Sequence, residues 1–205
     1  MTHRFAELMF TPRVKAIQAD AGSRASYARF AQPEAPANDR LGAAETAFIA
    51  ARDSFYMASV SETGWPYVQH RGGPAGFLNV LDDRSVGFAD YRGNKQYVSV
   101  GNLAGDDRVS MFLMDYPNQR RLKLLGHARV ISRHDEPAVF DQLQSGTTAT
   151  VERGIVIALE AFDWNCPQFI TPRSTQAELA DVLAPVTARL RALEAENAEL
   201  RAHSR

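Results

Sequence analysis

The apolar residues of this chain change period along its length, and each change marks a different kind of element. From Phe5 to about Asp20, Phe5, Leu8, Met9, Val14 and Ile17 alternate loosely with charges, and Pro12 suits the first turn of a short helix. Phe30 to Arg40, with Pro33, Pro36 and several alanines, reads as an extended linker over the surface. Leu41, Ala44, Phe48 and Ala51 then recur at three- and four-residue spacing, which predicts a helix from about Leu41 to Arg52.

After that helix the period falls to two. Phe55 to Val60 is an apolar strand, Ser61 to Gly64 a turn and Pro66 to Arg71 a second strand, together a hairpin. Phe77 to Leu81 and Ser85 to Ala89 repeat the pattern around Asp82 to Arg84, with Val86 and Phe88 on one face. A helix from Lys95 to about Leu103 separates these from a fifth strand, Val109 to Met114. Between Arg121 and Val130 the even positions Leu122, Leu124, Gly126, Ala128 and Val130 are small or apolar, while Arg121, Lys123, His127 and Arg129 fall on odd ones. One face of that strand is core and the other is wet or binds something charged. A last strand passes through Gly154 to Leu159. Six to seven antiparallel strands with short flanking helices predict a mainly β, α+β fold built as a closed or partly closed barrel, which removes exposed edges.

The C-terminal segment differs in kind. Thr175 to Glu178 is a capping-box pattern, and Leu179, Leu183, Val186, Leu190, Leu193, Asn197 and Leu200 follow at spacings of four and three. With Leu183, Leu190 and Asn197 at the a positions, a buried Asn would fix register and favour parallel pairing of two strands. Pro185 removes a helix hydrogen bond and marks a point where the helix would break. The spacing fits equally an amphipathic helix packed on its own barrel. The expected organisation is an arm over 1–40, a barrel over 41–173 and a helix over 174–205.

Composition narrows the chemistry. The 205 residues are 45% hydrophobic, and 23 basic side chains face 24 acidic ones. A net charge of -1 provides no overall field for nucleic acid or an anionic membrane, so any anion must be held by a local cluster. No stretch has the apolar length of a membrane span or a signal core, which predicts a cytoplasmic protein. The five histidines are scattered with no Cys pair, which argues against a zinc or iron site. There is no G-x-S-x-G, P-loop or strand-linked G-x-G-x-x-G. Cys166 with His70 or His127 could supply a nucleophile and base, but a lone Cys beside Trp164 and Pro167 reads as a buried small hydrophobe.

What remains is a set of polar and basic groups around the strand pairs. Gln69-His-Arg-Gly-Gly-Pro74 closes the second strand with donors and two glycines, where a ligand can approach the backbone. Asp90-Tyr-Arg-Gly-Asn-Lys-Gln96 runs from a strand into the expected helix, and its Arg92, Asn94 and Lys95 suit a phosphate dianion. Arg120, Arg121 and Lys123 add charge further on.

At these residues a resemblance enters. The run Phe55 to Phe77, then Phe88-Ala-Asp-Tyr-Arg-Gly-Asn-Lys95 and Arg120-Arg-Leu-Lys-Leu-Leu-Gly126, resembles the pyridoxamine 5'-phosphate oxidase-like, FMN-binding split-barrel family over roughly residues 45 to 172. The resemblance implies FMN, and flavin or phosphate contacts from Gln69, His70, Arg71 and the adjoining Gly72. The family's aromatic-small pair matches Phe88 and Ala89. Its basic pair at the next turn matches Asn94 and Lys95, so one cation is missing and Arg92 or Arg71 takes its place. A Gln that reaches the flavin in the family matches Arg121, where a cation would stabilise the anionic reduced ring. Trp164 is placed either beside the ring or in the core. Pyridoxamine phosphate oxidases themselves end in a basic substrate-holding strand, whereas this chain has Trp164-Asn-Cys-Pro-Gln-Phe-Ile-Thr-Pro-Arg173 and then the heptad helix. The resemblance therefore implies a homodimeric flavin-dependent oxidoreductase with cofactor sites at the interface, acting on a small molecule other than the vitamin B6 substrate. The alternative is a non-catalytic flavin- or haem-binding dimer that recruits a partner.

Overall fold

The computed structural model describes residues 3–32, 34–144 and 149–203. Pro33, counted above in the linker, lies outside the described residues. Seven strands form one antiparallel sheet: β1 (Ser54–Val60), β2 (Pro66–Gly72), β3 (Asn79–Asp82), β4 (Ser85–Tyr91), β5 (Arg108–Asp115), β6 (Arg120–Ile131) and β7 (Val151–Trp164). Their order is β2-β1-β5-β6-β7-β4-β3, and hydrogen bonds do not join the two ends, so the barrel is split. The helices are α1 (Arg4–Met9), α2 (Pro12–Asp20), α3 (Arg24–Ala28), α4 (Ala43–Ala50), α5 (Val98–Gly105), α6 (Pro137–Gln142) and α7 (Gln176–His203). No helix among the described residues is long and apolar enough to cross a membrane.

Alternation in the strands builds the core. Phe55 and Met57 of β1, Met111 and Leu113 of β5, and Leu122 and Leu124 of β6 are all essentially buried. Phe55 stacks on Phe77, with centroids 5.4 Å apart, and meets the edge of Phe88 at 5.1 Å. Gly126 is required where β6 crosses β7, because a Cβ there would lie 2.4 Å from the Ala158 carbonyl oxygen. The β6–β7 register shifts at this point, and near the end of β6 the alternation changes phase. Val130, expected in the core, is 41% exposed, and Ile131 is buried instead.

Several expectations need correction. The helix expected from Lys95 starts at Val98, because Lys95 (φ 61°) and Tyr97 (φ 53°) adopt left-handed backbone that cannot continue a helix. Cys166, expected to be buried, is exposed. Strand β7 runs to 14 residues, well beyond the apolar stretch that announced it. Pro185 does not break α7, which is continuous over 28 residues.

The chain divides into two compact units, Met1–Asp115 with Arg120–Pro167, and Tyr116–Gln119 with Gln168–Arg205. In the first, the buried His3 ties down the N-terminal arm. Its Nδ1 accepts from Ala6 N–H, its Nε2 lies 3.1 Å from the Asn38 carboxamide and its ring meets Phe30. Burial holds the His3 imidazole below its ordinary pKa. In the second unit, Thr175 and Glu178 close the predicted capping box: Thr175 Oγ1 accepts from Glu178 N–H, and the Glu178 carboxylate accepts from Thr175 N–H at 2.7 Å.

Candidate functional site

Alternation along β2 sends its side chains to two different surfaces. Tyr67, Gln69 and Arg71 share one face and line a cavity of about 330 Å³ with Asp90, the loop from Gly93 to Tyr97, the first turn of α5 and Glu152. That volume lies at the lower end of the range for small-molecule sites. Asn94 and Lys95 are in the same wall, so four of the residues singled out from the sequence converge here. Val68, His70 and Gly72 face the other way. On that second surface His70 packs on Tyr56, Tyr56 stacks on Phe112 with centroids 4.8 Å apart, and the Arg121 guanidinium carbon lies 6.0 Å from the Phe112 centroid.

The cavity is held in shape by a chain of ion pairs. Arg71 Nη1 donates to Asp90 Oδ1 at 2.5 Å, and Arg153 Nη2 donates to Glu152 Oε2 at 2.6 Å. Arg153 Nε is 3.4 Å from Asp90 Oδ2, within ion-pair range but off line for a hydrogen bond. Arg92 Nε reaches the other Glu152 oxygen at 3.3 Å, and the Arg153 guanidinium lies over the Tyr97 ring at 4.7 Å. The bond from Arg153, supported by those from Arg92 and Tyr97, holds the Glu152 carboxyl below its ordinary pKa. Ser99 Oγ donates to Gln69 Oε1, and Asn94 Oδ1 accepts from Gln96 N–H and shapes the loop. Lys95 has no ion pair among the described residues. Arg71 and Lys95 balance Asp90 and Glu152 in the cavity wall, and Arg92 and Arg153, paired to those carboxylates from outside it, bring the whole cluster to an excess of two positive charges. The Nε atoms of Arg71 and Arg153 are buried without hydrogen-bond partners among the described residues. A local surplus of oriented donors in an overall neutral chain suits an anion of the phosphate class. Left-handed backbone at the non-glycine Lys95 and Tyr97 adds strain of a kind that concentrates at binding sites.

The other sequence candidates lie elsewhere. Phe88 is in the main core, with Arg71 above its ring at 5.6 Å, and Ala89 belongs to a second apolar cluster with Ile131 and Phe140. Trp164 packs edge-on against Phe48 at 4.8 Å and donates from Nε1 to Glu45, with the Arg120 guanidinium 4.5 Å from its ring. Arg121 Nε is buried without a hydrogen-bond partner among the described residues. Sequence reasoning missed Tyr67, Asp90, Tyr97, Ser99, Glu152 and Arg153. Tyr67 was within reach, since it shares the alternation of Gln69 and Arg71. Arg153 joins only because β4 and β7 place Asp90 opposite it.

The family model for pyridoxamine 5'-phosphate oxidase matches residues 41–162. Among solved structures the chain is similar to HupZ of Group A Streptococcus (12% identity, TM-score 0.47, covering 65% of this chain and 99% of that one). It is also similar to a protein from Clostridium acetobutylicum related to general stress protein 26 and described as of the pyridoxinephosphate oxidase family (12%, TM-score 0.45, 58% and 83%). A third is an FMN-binding protein from Syntrophomonas wolfei (12%, TM-score 0.43, 58% and 81%). Comparison with curated protein sequences finds no match.

Proposed function

Because this chain belongs to the pyridoxamine 5'-phosphate oxidase family, we propose that it is an FMN-binding oxidoreductase acting on a small molecule, with the flavin phosphate held in the cavity beside β2. The observation that carries this reading is the convergence of Arg71 and Lys95, from separate elements, in one cavity whose two carboxylates are already paired to guanidinium groups. FMN would supply the hydride or electron transfer. The chain's own residues do the gripping and orienting. Asp90 and Glu152 fix the guanidinium groups around them, so that little side-chain freedom remains to be lost when an anion arrives. Arg71 and Lys95 supply the charge-assisted bonds to phosphate, and Gln69, oriented by Ser99, supplies a polar contact. His70 and Arg121, on the opposite surface, serve the flavin of a second copy of the chain, in keeping with the dimers usual in this family. With FMN bound there, Arg121 would stabilise negative charge on the reduced ring.

The test is an absorption spectrum of the freshly purified protein, with the released chromophore identified by mass. Stoichiometric FMN that NADH or NADPH reduces with turnover is the expected result. A colourless protein that takes up no added FMN overturns the cofactor assignment, and a tight complex that is never reduced overturns the oxidoreductase reading.

A further inference from the structure

Helix α7 has an apolar seam, and nothing about the flavin site accounts for it. None of its described side chains is buried. Leu179, Leu183, Val186, Leu190 and Leu193 are 48%, 52%, 63%, 55% and 43% exposed. We propose that α7 pairs with the α7 of a second copy of this chain as a parallel, in-register, two-stranded coiled coil.

Continuity of the helix is the first support. Its 28 residues carry the seam from Leu179 to Leu200, three heptads, without a break. Pro185 occupies a c position, and Asp181, whose carbonyl loses its partner there, occupies an f position. Both point away from the a and d positions, so the defect falls on the solvent side of the coil.

Charge is the second support. In a parallel dimer each g residue faces the e residue five positions later on the other strand. Arg189 (g) then meets Glu194 (e), and Glu196 (g) meets Arg201 (e). Every such charged pair in the helix is of opposite sign, and the two-fold axis makes each twice. Asn197 is the third support. At an a position it faces its own copy only when the strands are parallel and in register, where the two carboxamides can bond to each other. An antiparallel arrangement would set Asn197 against an apolar d residue and leave its polar group unmatched.

The decisive experiment is site-specific cross-linking of the full chain with Cys166, the lone and exposed cysteine, changed to Ser. In that background Asn197→Cys and Leu193→Cys place thiols at a and d, while Arg191→Cys places one at b, on the outer side. Mild oxidation should convert most of the Asn197→Cys and Leu193→Cys proteins into covalent dimers and leave Arg191→Cys monomeric on a denaturing gel. Absence of cross-linking at both 197 and 193, or equal cross-linking at 191, overturns the proposal; a seam covered by another protein or by the chain's own barrel would give that result. The readout carries no flavin signal, so it stands or falls independently of the cofactor assignment.

Discussion

Leu122 in β6 is 0% exposed and Leu190 in α7 is 55% exposed, although each occupies the apolar position of a regular repeat. In the barrel a two-residue period meets strands of the same chain, so every inward side chain finds its partners at home. In α7 a period of three and four creates a narrow stripe that its own unit does not cover. The same composition therefore serves two ends: one pattern stores stability inside the fold, the other keeps a surface for association.

This contrast can be broken by mutation. The largest effect should come from Leu122→Ala, which deletes fully buried methyls and should lower the unfolding free energy by about 2–5 kcal/mol. Leu190→Ala, measured in the same urea titration at low protein concentration, should leave the barrel midpoint almost unmoved. Arg71→Ala and Lys95→Ala should each weaken FMN binding by ~1–3 kcal/mol in a fluorescence titration. Undiminished flavin occupancy in both variants would sink the site assignment. Thr175→Ala removes the cap of α7 and should cost that helix about 1 kcal/mol, read as lost ellipticity with an unchanged barrel transition. The smallest effect concerns Asp106, whose carboxyl is held down to about 2 by the Arg108 guanidinium and then its backbone N–H. A lowered carboxyl pKa stabilises fully above its ordinary value near 4 and ceases to do so as the pH falls through the folded value. Wild type should lose slightly more stability than Asp106→Asn between about pH 4 and pH 2.

The comparison also explains what could be read in advance. The hairpin of β1 and β2, the strands β4 to β6 and the capping box at Thr175 follow from local alternation and spacing, and they stand where those signals place them. Short helices such as α1, α3 and α6, of 5 to 6 residues, carry too few turns to show a period. At the site, Gln69, Arg71, Asn94 and Lys95 were legible as polar and basic groups beside glycine. Their separation from His70 was implicit in the two-residue period of β2. The buttress formed by Asp90, Glu152 and Arg153 was not legible, because it depends on β4 lying against β7 across some sixty residues of chain. The late start of α5 was hidden for a different reason: left-handed backbone at a lysine and a tyrosine has no compositional signal.

Strand β2, which contributes Tyr67, Gln69 and Arg71 to the cavity, has β1 as its one hydrogen-bonded neighbour strand among the described residues. Alternate amides along it therefore have no ladder partner, and it can open without disturbing β5, β6 or β7. Exchange of its amide hydrogens with solvent then reports on this strand rather than on global unfolding. A ligand gripped by Arg71 and Gln69 must suppress that local opening, so occupancy will be written first in the exchange rates of β2, while the central strands keep the protection they already had.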